Sequence, residues 1–235
     1  MIVSWLLFAC VLLATRLCYL PNDRRLPKHV SVLQYAAQLT VLLILFEISA
    51  PLLLLLAFLG ASAVVIYLLE TSARILGGFR LLSLAWQLFV PLALMAWLGA
   101  DLAGRFELAM SQPVLWVAFV LLMLLNEANY LIRLLFDWCN VVPKKAITGT
   151  DPAELDEDEY KAGRVIGMLE RTVILLLTYF TGDFGSVGFV LAAKGLIRLR
   201  QLRDRQFSEY ILIGTLASVL CALVGALFLL WINRA

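Results

Sequence analysis

The 235-residue chain contains one histidine, His29, and four scattered cysteines, Cys10, Cys18, Cys139 and Cys221, with no C-x-x-C pair. A zinc or haem centre that draws on several His or Cys ligands is therefore not expected. The cysteines read as small apolar packing residues. A catalytic set is equally hard to assemble. With His29 alone in a loop there is no Ser–His or Cys–His arrangement, and neither H-E-x-x-H nor a phosphate-cradling glycine loop occurs. Asp101, Asp137 and Asp183 fall at the ends of different apolar stretches, which leaves no aspartate pair for intramembrane catalysis. No enzymatic activity, metal or cofactor is expected. Also missing are a basic residue ahead of the first apolar run and a small-residue cleavage site after it. That run reads as a retained helix rather than a signal peptide.

What the chain has in quantity is apolar length. Hydrophobic residues make up 63% and mean hydropathy is +0.92, against roughly 45–50% apolar in soluble domains. Apolar stretches occupy 2–20, 30–46, 51–69, 81–98, 113–136, 163–181, 184–197 and 210–231. Several reach the ~20 residues that a helix needs to cross a bilayer. A backbone in lipid must satisfy its own polar groups, so the choices are a helix bundle or a closed barrel. Unbroken runs such as 51–59 and 174–177 lack the alternation of barrel strands. The expected fold is all-α, a polytopic transmembrane bundle of about eight spans. It forms a single membrane domain: N-terminal spans in 1–125, a polar and acidic connection in 126–162, and a three-span block in 163–235.

The Lys and Arg residues orient this bundle. Fifteen fall in or beside the first, third, fifth and seventh connections, among them Arg16, Arg24, Arg74, Arg80, Lys144 and Lys194. Only Arg105 and Arg234 fall on the other side. Basic loops stay in the cytoplasm, which predicts a multi-pass protein with both termini outside. Arg16, near the inner end of the first span, is expected to snorkel to the headgroups. The 184–197 stretch is short and loosened by Gly182, Gly185 and Gly188, so it either crosses or lies re-entrant or tilted. The acidic connection 148–159, TGTDPAELDEDE, reads as a solvated linker that also caps the next helix. The functional alternative is a docking site for a basic cytoplasmic partner.

The second half carries charges where lipid penalises them: Arg164, Glu170 and Arg171 in one stretch, Lys194 in the next, and Glu209 at the entry to the last. Each costs about 2.5–3.5 kcal/mol on insertion scales unless it pairs or faces water. If the 163–181 and 184–197 stretches form a hairpin, Glu170 and Lys194 differ in depth by only about 4–5 Å, within side-chain reach. The pair either fixes helix register or lines an ion or substrate path. Arg171 points about 100° away from Glu170 and needs another partner, such as Asp137 or a lipid phosphate.

Small residues recur along two helices, as Gly163 and Gly167, and as Gly214, Ser218, Cys221 or Ala222, and Gly225. In lipid such faces let helix backbones approach closely, either within one chain or between subunits. Asn126, Asn129 and Arg133 share a face by spacing, which reads as a polar funnel or an interfacial helix anchored by Tyr130 and Trp138. Arg198, Arg200, Arg203 and Arg205 form a basic cytoplasmic patch suited to anionic lipids. An anionic ligand or cytoplasmic protein is its alternative partner; nucleic acid is not the expected one.

From Asn126 onward the chain resembles a family of uncharacterised bacterial inner-membrane proteins, a domain of unknown function. The stretches that carry the resemblance are 163–171 (GRVIGMLER), 174–177 (ILLL), 188–194 (GFVLAAK) and 209–216 (EYILIGTL), followed by Ser218. It implies a bacterial inner membrane and supplies no activity. With no catalytic set, the expected function is that of an oligomeric channel-like or regulatory membrane protein, of which a membrane-permeabilising defence effector is one form. The alternatives are a secondary transporter of a small solute or ion, and a non-conducting scaffold or sensor.

Overall fold

The computed structural model describes residues 2–20, 26–72, 76–98, 111–139, 157–198 and 205–234. The regular elements among them are helical: α1 (Ile2–Arg16), α2 (Lys28–Leu45), α3 (Ala50–Ser72), α4 (Leu76–Leu98), α5 (Gln112–Leu122), α6 (Ala128–Trp138), α7 (Glu157–Thr181), α8 (Gly185–Arg198) and α9 (Arg205–Ile232). A 3₁₀ turn, Leu17–Tyr19, follows α1, and a π-helical turn, Met123–Glu127, lies between α5 and α6. Two compact units emerge, 1–126 and 127–235.

Among the described residues, six helical stretches are long and apolar enough to cross a membrane: Ile2–Tyr19, Lys28–Leu45, Ala50–Glu70, Gly77–Trp97, Gln112–Trp138 and Ser208–Ile232. The protein is therefore a helical membrane protein. Helices α7 and α8 fall outside that set for different reasons. The 25 residues of α7 suffice in length, but its first turns are rich in charge. The 14 residues of α8 extend about 21 Å, short of the ~30 Å hydrocarbon core.

Proline marks several helix boundaries. Pro27 precedes α2 with an extended backbone, and Pro113 sits in the first turn of α5, where a missing N–H costs no helical bond. Pro91 instead lies inside α4. In the first unit α1 packs against α2 and α5, α2 against α3, and α3 against α4. Phe8, Leu12, Leu13, Leu42, Leu52 and Leu55 form the centre of its apolar core. Outward-facing side chains are also apolar; Trp97 is 82% exposed and Leu54 58%. That pattern suits lipid, not water, as the surrounding solvent.

In the second unit α9 packs against α6 and α7, and α7 against α8. The α7–α8 turn is built by its own side chains. Gly182 takes a positive φ of 67°, a backbone region that favours glycine. The Gly185 amide donates to Asp183 Oδ1 at 2.8 Å, satisfying one of the donors at the start of α8.

Three expectations are corrected by this fold. His29 lies in the first turn of α2 rather than in a loop. Arg16 does not snorkel to the headgroups; it is 2% exposed. Arg80 belongs to α4, not to the connection before it, and is also 2% exposed. Setting both aside, together with Lys194 inside α8, leaves twelve of those fifteen basic residues against two when the eight apolar stretches are counted as spans. The acidic connection through residue 156 and the 99–110 loop lie outside the described residues.

Candidate functional site

The first unit buries a charged network that the sequence reading passed over. Arg16 closes α1, Glu70 lies near the end of α3, and Arg80 lies near the start of α4. Because successive helices reverse direction, these positions gather at one end of the unit. Arg16 Nη2 donates to the Arg80 carbonyl at 2.7 Å, and Arg16 Nη1 to Ser83 Oγ at 3.4 Å. Arg80 Nε meets Glu70 Oε1 at 3.1 Å. The Arg80 guanidinium also lies 4.1 Å from the centre of the Tyr19 ring, which Arg16 approaches at 5.4 Å.

Neutral polar groups extend the network. Asn126 Nδ2 donates to the Arg16 carbonyl at 3.4 Å, where α1 runs out of helical donors. Tyr35 on α2 is hydrogen-bonded to Tyr19. The Cys18 thiol donates to Gln34 Oε1 at 3.6 Å. Two guanidiniums, a carboxylate and a tyrosine ring thus share a site shielded from solvent, where each charge needs its partners. The legible signal was a carboxylate and a guanidinium of opposite sign flanking one helix connection, Glu70 and Arg80.

The second unit brings together part of the expected set. Lys194 Nζ and Glu170 Oε2 form an ion pair at 2.5 Å, as the hairpin register requires. Arg171 is 2% exposed and bridges two helices: Nη2 donates to Asn129 Oδ1 on α6 at 2.6 Å, and Nη1 to Ser218 Oγ on α9 at 3.2 Å. These two contacts are with amide and hydroxyl oxygens, and Asp137 is exposed on α6. Glu170 and Arg171, adjacent on α7, act toward different helices because consecutive residues diverge by about 100° around the axis. Arg164 is half-buried and Glu209 exposed, so neither lies in the buried part of this cluster.

The small residues divide as well. A Cβ on Gly214 would come within 2.8 Å of Phe136 Cζ, so glycine there allows α9 to approach α6. Ser218 takes the Arg171 bond. Further along, the buried small positions are Ala222 and Ala226, both fully buried, while Gly225 is only half-buried. Among the described residues, neither Gly163 nor Gly167 has another helix against its Cα. A Cβ on Gly163 would meet nothing within 4 Å, and one on Gly167 would meet only Arg171 of its own helix.

Asn126, Asn129 and Arg133 make separate contacts. Asn126 serves the Arg16 carbonyl, Asn129 the Arg171 guanidinium, and Arg133 lies 5.9 Å from the Tyr130 ring centre. The π-helical turn at Met123–Glu127 changes the angular phase within this stretch. In the basic patch, Arg198 and Arg205 lie in α8 and α9, and Arg200 and Arg203 lie outside the described residues.

No protein-family model, curated protein or solved structure matches the chain. The resemblance drawn from GRVIGMLER, ILLL, GFVLAAK and EYILIGTL with Ser218 is carried by those residues alone.

Proposed function

We propose that this is an oligomeric, channel-like protein of a bacterial inner membrane, with both termini outside and the α7–α8 hairpin inserted in the bilayer. The observation that carries this reading is the position of the Glu170–Lys194 pair. Glu170 lies eleven residues before the end of α7, about 16 Å along the axis and so half-way through a ~30 Å core. The pair is not sealed inside the unit; its side chains are 19% and 17% exposed. Outward-facing residues of the same two helices are apolar, with Leu169 62% exposed and Phe189 78%. An ion pair opening onto lipid at that depth is unfavourable, so this apolar face turns toward a neighbouring subunit that covers the pair. Assembly, not a catalytic residue, then carries the activity, and the basic 198–205 segment holds anionic lipid on the cytoplasmic side.

The test uses the full chain reconstituted in liposomes. A Leu169→Cys variant in a cysteine-free background is expected to cross-link between subunits, and the wild type to pass small ions. Glu170→Gln is expected to alter the cation-to-anion ratio of that flux. A monomer that neither cross-links nor conducts overturns the proposal. Cross-linking without flux overturns conduction and selects the regulatory scaffold.

A further inference from the structure

A cavity of about 10 Å³ lies within the first unit, bordered by Phe8, Leu12, Tyr35, Gln38, Ala63 and Gln87 among others. That is room for one water molecule. Most of its wall is apolar, yet Gln87 is 4% exposed and its Oε1 has no hydrogen-bond partner. A buried amide oxygen left so is costly. Pro91 adds a second demand at the same place. It lies inside α4 and has no N–H to give the carbonyl four residues earlier, which is Gln87's own. In membrane helices, carbonyls freed by proline are commonly satisfied by ordered water or neighbouring polar groups.

We propose that this cavity is a binding site for a single ordered water, held by Gln87 with Gln38 and Tyr35 as its further partners. Three polar side chains meet the two to four partners that a buried water requires. Gln38 Nε2 already donates to Thr15 Oγ1 at 2.9 Å, which leaves its carbonyl oxygen for the water. Tyr35 joins the site to the network through Tyr19. Gln38 and Gln87 lie ten and eleven residues into their helices, about 15 Å deep. The water therefore sits near mid-membrane beside the carbonyl that Pro91 leaves without a helical donor, and ties α4 to α2. This inference is independent of the channel reading, which rests on the second unit.

The full chain in lipid nanodiscs, with ¹⁵N-labelled glutamine, tests it. The Gln87 side-chain amide is expected to show a magnetisation-transfer peak to a long-lived water, and Ala63→Val is expected to abolish it. A folded wild type without that peak overturns the proposal. Melting temperature gives a second reading whose sign separates a wet site from a dry one. If water is held, Gln87→Met and Ala63→Val each lose its bonds and lower the melting temperature by about 2–4 °C or more. In a dry cavity the same changes remove an orphaned amide or fill a void, and both raise it. Should Gln87→Met fail to fold, Ala63→Val and the water peak still decide the matter.

Discussion

Glu70 and Arg80 meet at 3.1 Å, joining the end of α3 to the start of α4 with side chains 8% and 2% exposed. Arginine keeps its charge in proteins, so removing the carboxylate leaves a guanidinium with too little compensation. Glu70→Gln is expected to destabilise the protein by about 3–5 kcal/mol. Glu70→Gln combined with Arg80→Met should cost less than the sum of the two single changes. Unfolding midpoints in detergent, measured for all four combinations, check this coupling; strict additivity would show that the pair does not act as a unit.

Gly163 and Gly214 should respond in opposite directions to the same substitution. Alanine at Gly163 meets open space and gains helix propensity, so Gly163→Ala should stabilise by about 0.5–1 kcal/mol. Alanine at Gly214 meets Phe136 at 2.8 Å, and that ring is itself held against Tyr210, with centroids 4.6 Å apart. Overpacking of this kind costs about 1–3 kcal/mol. Phe136→Leu in the Gly214→Ala background should recover part of the loss. Thermal melts of the three variants provide the check.

The contrast between these glycines shows what the sequence could express. Apolar length alone gave a helical membrane bundle, because lipid leaves the backbone few options. The Glu170–Lys194 register was also legible, since a tight turn fixes the depth of both residues. Burial around each helix was not. A G-x-x-x-G spacing is compatible with packing and with exposure, and only the neighbours distinguish Gly163 from Gly214. Arg16 and Arg80 looked like interfacial residues because they sit near helix ends. Their burial depends on Tyr19, Ser83 and Glu70 arriving from other segments. The π-helical turn at Met123–Glu127 likewise defeats spacing arguments, because it changes the phase between Asn126 and Asn129.

Arg171 offers a test of geometry at constant charge. Its planar fork reaches Asn129 and Ser218 together, at 2.6 and 3.2 Å. A lysine ammonium keeps the charge but lacks that two-armed shape. Arg171→Lys is therefore expected to destabilise by about 1.5–3 kcal/mol, the range for hydrogen bonds to charged groups. Ser218→Ala, which loses one arm, should cost roughly half as much. Equal losses for the two variants would mean that the Ser218 contact dominates; denaturation in mild detergent separates the outcomes.

The Glu170–Lys194 pair predicts a pattern of damage and rescue. Glu170→Gln leaves Lys194 without its 2.5 Å partner, and Lys194→Met does the converse to Glu170. Both residues are largely buried, so the uncompensated charge is poorly screened. The loss is discounted below the 3–5 kcal/mol of a fully buried pair because the two side chains are 17–19% exposed, giving about 1–3 kcal/mol for each variant. Exchanging the two, Glu170→Lys with Lys194→Glu, restores opposite charges at the same register. The exchanged protein should recover part of the folded yield that either single replacement loses. If the exchange does no better than the sum of Glu170→Lys and Lys194→Glu measured alone, attraction between the charges does not hold α7 to α8. Folded yield is read by size-exclusion chromatography after membrane extraction, with all variants expressed at matched levels.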